Sequence, residues 1–228
     1  MTQQIELTSE IDVSLIDSMG SDDSVVHAAR VSIVGARAET EGGERKGLLN
    51  FLMSNRHASP FEHVVATFMI QCPIFVVREW HRHRTQSYNE MSGRYTVLRP
   101  RFYIPDVERP LVQVGKPGAY RFETGSFEDW QSVKNTLEGT YQRSWNAYQG
   151  MLNAGIAKEV ARDCLPLGIY TDFYATANLR NWLGFLSLRT SSDALYEIRQ
   201  AAGKVETHLH KMFPTILDLW DENGRQSL

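Results

Sequence analysis

Apolar positions along the chain follow two periods, one near two residues and one near 3.6, so strands and helices should alternate. Short apolar runs over residues 5–15 end at Met19-Gly20 and give way to polar Ser21 to Ser24. Val25 to Ala36 reads as a helix followed by a strand, and Arg37 to Arg45 as a charged, glycine-containing loop. Leu48, Leu49, Phe51 and Leu52 outline the buried face of a short helix. At Ser59-Pro60-Phe61-Glu62 a helix should start, with Ser59 as cap, Pro60 in the first turn and Glu62 closing a capping box. Val64 to Cys72 is β-branched and evenly apolar, which suits a buried strand. Pro73 then restarts a helix through Ile74, Val77 and Trp80 toward Arg84.

Farther on, Pro100, Pro105, Pro110 and Pro117 mark an irregular, exposed connection. From Ser126 the pattern is helical, with Phe127, Trp130, Val133, Leu137, Tyr141, Trp145, Tyr148 and Leu152 recurring every three or four residues. A second helical stretch is expected over Ala175 to Leu188. A third begins near Ser191 or Ser192, buries Leu195, Ile198, Ala202, Val205, Leu209 and Met212, and is ended or kinked by Pro214. The expectation is a mixed α/β chain with a helical C-terminal half.

Composition narrows the function classes. At about 150 residues per domain, 228 residues leave one large or two small domains open, and nothing independent marks a second core. Hydrophobic residues at 42% and charged residues at 22% exclude a disordered chain. A formal charge of −3 argues against a whole-surface nucleic-acid binder, so any anion site must be local. No run of about 18 apolar residues predicts a membrane span. The N-terminal MTQQIELTSEID lacks the basic and apolar regions of a secretory signal. With Cys72 and Cys164 as the two cysteines, a reducing cytoplasm fits best, and both read as small buried residues.

Candidate chemistry concentrates in RHRTQSYNEMSGRY at 82–95, where almost nothing can form a core. One reading is a solvated loop whose arginines complement a helix C-terminus, but that explains only Arg82 and Arg84. The other is a pocket for a phosphorylated ligand. Arginine forks match phosphate geometry. Ser87, Ser92 and the backbone at Gly93 would add donors, and Asn89 and Glu90 would read base or sugar edges. Two rivals use the same residues. A nucleotide- or RNA-binding module would use the arginines and tyrosines for phosphate and stacking. A metal-dependent hydrolase would combine His81 and His83 with His57 or His63, although alternate residues on a helix diverge.

The run from Arg82 to Arg94 resembles the signature RHRxxSxNExSxR of flavin-dependent thymidylate synthases at every fixed position. NRHASPFEH at 55–63, ARDCLPLGIYTDF at 161–173 and NLRNWLGFLSLR at 178–189 resemble further segments of that family. The likeness extends from about residue 25 to 213 and is weakest across 98–125.

The resemblance implies a single α/β domain over residues 1–228, with a central, largely antiparallel sheet flanked by helices. It implies methylation of dUMP at C5 to dTMP. Methylenetetrahydrofolate would supply the carbon and leave as tetrahydrofolate. Reduced FAD would supply the hydride, with NADPH re-reducing it. A homotetramer with shared active sites is implied; neither nucleic acid nor membrane is expected as a partner.

By the same resemblance, dUMP would contact Glu79, Trp80, His81, Arg82, Glu90, Met91, Ser92, Gly93, Arg94 and Arg162. FAD would contact Ser59, Arg82, His83, Arg84, Glu90, Asn178, Leu179, Arg180 and Gly184. His57 would lie near flavin and folate, against a plain reading as a loop histidine; His63 reads as structural. Arg189 matches the arginine that binds uracil and favours its N3-deprotonated form, against an ion pair with an acid such as Asp193. Neither cysteine lies in the signature, in keeping with chemistry that needs no enzyme nucleophile, and Ser92 lacks an evident general base. Gly184 stands where an asparagine often contacts FAD, Glu79 replaces a common glutamine, and Asp193 stands where some members have histidine. Glu79 would bring a negative charge toward an anionic nucleotide and is expected to face away.

Overall fold

The computed structural model describes residues 4–35 and 45–228. In chain order these form β1 (Glu6–Thr8), β2 (Asp12–Met19), α1 (Asp22–Val34), α2 (Arg45–Ser54), a 3-10 turn at Ser59–His63, β3 (Val65–Pro73), α3 (Ile74–Trp80) and β4 (Ser87–Glu90). There follow β5 (Arg101–Tyr103), β6 (Val112–Lys116), β7 (Ala119–Glu123), α4 (Phe127–Asn153), α5 (Lys158–Ala161) and a 3-10 turn at Arg162–Cys164. The chain finishes with β8 (Tyr170–Asn178), α6 (Leu179–Arg189), α7 (Tyr196–Met212) and α8 (Pro214–Glu222). Two compact units result, each built from three chain segments: 1–10, 72–78 and 91–171 form one, and 11–71, 79–90 and 172–228 the other.

A four-stranded sheet runs in the order β2-β3-β8-β4, with β2 antiparallel to β3 and β4 antiparallel to β8. The largely antiparallel sheet and helical C-terminal half match the expected class. Alternation along β3 sets the sheet's faces: Ala66, Phe68 and Ile70 are buried, while Val65, Thr67 and Met69 are partly covered. Phe68 meets Trp182 of α6 edge to face at 5.0 Å, and the Trp182 indole donates to the Ala66 carbonyl at 3.1 Å. A buried indole N–H needs such an acceptor. From α7, Lys204 Nζ donates to the Ile11 carbonyl at 2.5 Å, which holds that helix against the start of β2.

In the other unit, β1 pairs in parallel with β5, and β6 with β7 forms a hairpin. Its core joins Ile5, Phe102 and Ile169 to Tyr141, Trp145 and Tyr148 of α4. Phe102 stacks on Tyr141 at 4.8 Å. The long α4 starts where the sequence indicates, because Ser126 and Asp129 cap each other's backbone N–H at 3.1 and 2.9 Å.

Several local expectations are corrected. Within the described residues, Val25 to Val34 stays helical to the end of α1, and the strand expected after it is absent. The loop expected at Arg37 to Arg45 lies outside the described residues except for Arg45, which opens α2. Phe51 is exposed, and Met53 takes its place in the α2 core. Ala58, not Ser59, stands at the cap position of the 3-10 turn, and no side chain caps it. The proline-rich connection contains β5, whose Phe102 and Tyr103 are buried. Ala175 to Asn178 is strand, so helix begins only at Leu179. By contrast, the break expected at Pro214 is present: α7 ends before it, and it opens α8 at its first turn.

Gly168 sets a packing test. A Cβ there would lie 2.3 Å from the Tyr141 hydroxyl oxygen and 2.9 Å from Cζ of that buried ring. Gly168→Ala should therefore cost about 1–3 kcal/mol, read as a lowered urea midpoint. An unchanged midpoint would show that the Tyr141 ring yields freely.

Candidate active site

The signature takes its shape from Trp80, the last residue of α3, which is fully buried. Its ring lies 4.5 Å from Phe185 and edge to face with Phe173 at 5.4 Å and Trp182 at 6.5 Å. Its indole N–H donates to Oε1 of buried Gln86 at 2.9 Å. The chain between them turns back: the His83 amide donates to the Trp80 carbonyl at 3.0 Å and the Gln86 amide to the His83 carbonyl at 3.3 Å. The Tyr88 hydroxyl, at 2.7 Å from the His83 carbonyl, fastens this reversal to β4, and burial raises its pKa. Helix therefore stops at Trp80, so Arg82, His83 and Arg84 lie on a turn and not on the helix expected to run toward Arg84.

On this turn Arg82 and Arg84 are exposed, and their side chains have no ion-pair or hydrogen-bond partner among the described residues. His81 packs on Tyr88 at 4.6 Å. His83 is half-buried against Phe185 at 4.9 Å and meets Arg189, the last residue of α6. Arg189 Nε donates to His83 Nε2 at 2.9 Å, Nη1 to Glu79 Oε2 at 2.9 Å, and Nη2 to the Glu79 carbonyl at 3.1 Å. A guanidinium only donates, so His83 Nε2 accepts and its proton sits on Nδ1. Burial, then the Arg189 charge, lowers the His83 pKa from 6.5 to about 4. Arg189 has five N–H groups; these contacts use three and leave one on each terminal nitrogen. The acid on Arg189 is thus Glu79 and not Asp193.

The other residues of this unit divide by what their side chains already do. Trp80 and Leu179 are committed to the core. Asn178 caps α6, its Oδ1 accepting from the Asn181 amide at 3.0 Å. Arg180 pairs with Glu62. Ser59, Glu90 and His57 are exposed, and His57 meets Phe51 edge to face at 5.6 Å. At Gly184 a Cβ would meet only Ser227 Cβ at 3.9 Å, so packing does not require glycine there. Arg82 and Arg84 fit a phosphate-rich cofactor, because an exposed guanidinium without a counter-ion can donate hydrogen bonds to an anion.

In the other unit, Met91 leads into a tight turn from Ser92 to Thr96, with the Tyr95 and Thr96 amides both donating to the Ser92 carbonyl at 3.1 Å. Gly93 is buried, and a Cβ there would lie 3.1 Å from Arg162 Cδ, so the glycine leaves room for the Arg162 stem. The Arg162 side chain has no polar partner among the described residues, whereas Arg94 Nε bonds Glu159 Oε2 at 3.0 Å. Nearby Lys158 Nζ donates to the Tyr95 carbonyl at 2.9 Å. Sequence reasoning missed Gln86, Tyr88, Lys158 and Glu159. Gln86 and Tyr88 sit inside the signature and were visible there as polar residues, but nothing in the spacing revealed that they serve the fold.

Among the described residues, no three His, Cys, Asp or Glu side chains stand close enough to share a metal ion, and His81 and His83 face different partners. Likewise, no helix among them is long and apolar enough to cross a membrane.

The lowered His83 pKa fixes a pH dependence. Between pH 6.5 and about 4 the unfolded chain binds a proton at this residue that the folded chain does not. His83 thus favours folding fully above pH 6.5, and that contribution is lost as pH falls toward about 4. His83→Gln keeps an acceptor for Arg189 without titrating. The wild-type urea midpoint should fall more than that of the variant between pH 7 and about 4.5. Parallel curves would contradict the assignment.

Comparison with known proteins gives the family. The Thy1 family model, described as thymidylate synthase complementing protein, matches residues 14–215. The flavin-dependent thymidylate synthase of Streptomyces coelicolor is 45% identical over 234 residues, covering 97% of this chain and 95% of that protein. That of Tropheryma whipplei is 43% identical over 227 residues, covering 95% of each. PolB from Streptomyces cacaoi, described as a UMP/dUMP methylase and crystallised with 5-Br UMP, is 43% identical with a TM-score of 0.93, over 99% of this chain and 100% of that one. Its 5-Br dUMP complex matches with the same TM-score over 98% of this chain. By the extent of these matches, the chain belongs to the flavin-dependent thymidylate synthase family.

Proposed function

We propose that the protein is an FAD-dependent methyltransferase that converts dUMP to dTMP. Methylenetetrahydrofolate provides the carbon and leaves as tetrahydrofolate, and NADPH restores the reduced flavin. Bound FAD in its reduced form supplies the hydride. Residues 1–228 act as one thymidylate synthase-like domain, assembled as a cytoplasmic homotetramer with shared sites.

The observation that carries the reading is the clamp on Arg189. Three donors fix its guanidinium, and two remain for a planar ligand with adjacent acceptors. The N3 and carbonyl edge of uracil, once deprotonated, offers such acceptors. Stabilisation of that developing charge by a fixed donor lowers the barrier without reorganisation. Arg94 and Arg162 bind the nucleotide phosphate, with Ser92 and the Gly93 backbone beside them. Arg82, Arg84 and Arg180 serve FAD with Ser59, His83, Glu90, Asn178, Gly184 and the Leu179 backbone, and Glu79, the Trp80 backbone, His81 and Met91 border the dUMP site. His57 lies toward folate.

The cysteines support chemistry without an enzyme nucleophile. Cys72 is fully buried in β3. Burial raises the Cys164 pKa, which disfavours the thiolate that attack would need. The Cys72→Ala, Cys164→Ala double variant should retain turnover; complete loss with fold and flavin intact would reopen thiol catalysis.

PolB's description as a UMP/dUMP methylase raises a second reading, in which the ribonucleotide is the preferred substrate. Tritium release from C5-labelled dUMP and UMP, with FAD, NADPH and methylenetetrahydrofolate, separates the two. Flavin-dependent release should be greater from dUMP. Greater release from UMP would assign ribonucleotide methylation, and none from either, with folded protein that binds FAD and dUMP, would contradict the methyltransferase.

A further inference from the structure

We propose that Glu79 is the positioning residue and resident counter-ion of Arg189, and that its charge restrains how strongly Arg189 attracts the uracil ring. This rests on the reading above that Arg189 meets uracil. Glu79 holds the guanidinium twice, through Oε2 at 2.9 Å and through its own carbonyl at 3.1 Å. His83 holds the third donor from the other side at 2.9 Å. The Arg189 side chain is only 15% exposed, whereas that of Glu79 is 46% exposed. A cation so enclosed needs a partner when no ligand is present, because a buried unpaired charge is costly.

The two Glu79 contacts have different consequences. The carbonyl contact holds Nη2 whatever side chain stands at 79, but only a side-chain acceptor there completes the aim of Arg189. The carboxylate contact also neutralises it. A glutamine there would keep the hydrogen bond through its amide oxygen and leave the positive charge uncompensated. Arg189 would then draw harder on an electron-rich uracil edge, both in the bound state and as negative charge develops. Position 79 thus separates aim from charge: a neutral acceptor preserves the first and releases the second.

The test compares Glu79→Gln with Glu79→Ala and wild type, in the FAD-loaded protein. Binding of dUMP is measured by titration calorimetry without folate, and kcat and KM are measured separately. Glu79→Gln should bind dUMP about fivefold more tightly than wild type, the scale expected for a partly exposed ion pair. Glu79→Ala should lose kcat through misplacement of Arg189, and rescue by glutamine but not by alanine would distinguish positioning from bulk stability. Unchanged or weaker dUMP binding in Glu79→Gln, or equal kcat in the two variants, would overturn the inference while leaving the methyltransferase in place. Wild-type protein that binds no dUMP would overturn both.

Discussion

Burial of the Trp80 indole is the constraint on which the signature turn depends. The ring fills a space between Phe173, Trp182 and Phe185, and removing so large a buried aromatic typically costs about 3–5 kcal/mol. Its N–H cannot be left unpaired at that depth. Gln86 answers it, so the backbone must reverse within a few residues, and the Tyr88 hydroxyl closes the reversal on the His83 carbonyl. The residues between Trp80 and Gln86 are pressed to the surface, where Arg82 and Arg84 display their charge. A polar stretch becomes an ordered turn because apolar and hydrogen-bonded anchors hold both its ends.

Electrostatics then assign the residues on that turn. Where a guanidinium is exposed, as at Arg82 and Arg84, water screens it and no internal acid is required. Where it is enclosed, as at Arg189, the protein supplies its own acceptors from Glu79 and His83. The histidine stays neutral because burial and the adjacent cation both oppose protonation. Aim is therefore fixed before any ligand arrives, which is the condition under which a donor stabilises developing charge most effectively.

What could be read in the sequence follows the same division. β3 and α4 announce themselves through strong periodicity and, for α4, a reciprocal cap at Ser126. The signature stands out because spaced polar residues are hard to explain as core, whereas Arg189 is picked out by the family resemblance alone. β8 was harder: its small residues Ala175 and Ala177 suit a helix as well as a strand, and pairing with β4 decides the matter. Phe102 looked exposed because four prolines surround it, yet its partner Tyr141 lies far along the chain. The Glu79–Arg189 pair was invisible for that reason too, since its members are 110 residues apart and Asp193 was the nearer acid.

On the proposed reading, the chain's ordered arginines serve flavin-dependent transfer to a uracil nucleotide. The decisive measurement is reoxidation of NADPH-reduced, enzyme-bound flavin under anaerobic conditions, followed by its absorbance. Rapid reoxidation should require both dUMP and methylenetetrahydrofolate. Flavin that remains reduced with both present, or that reoxidises equally with neither, would contradict it.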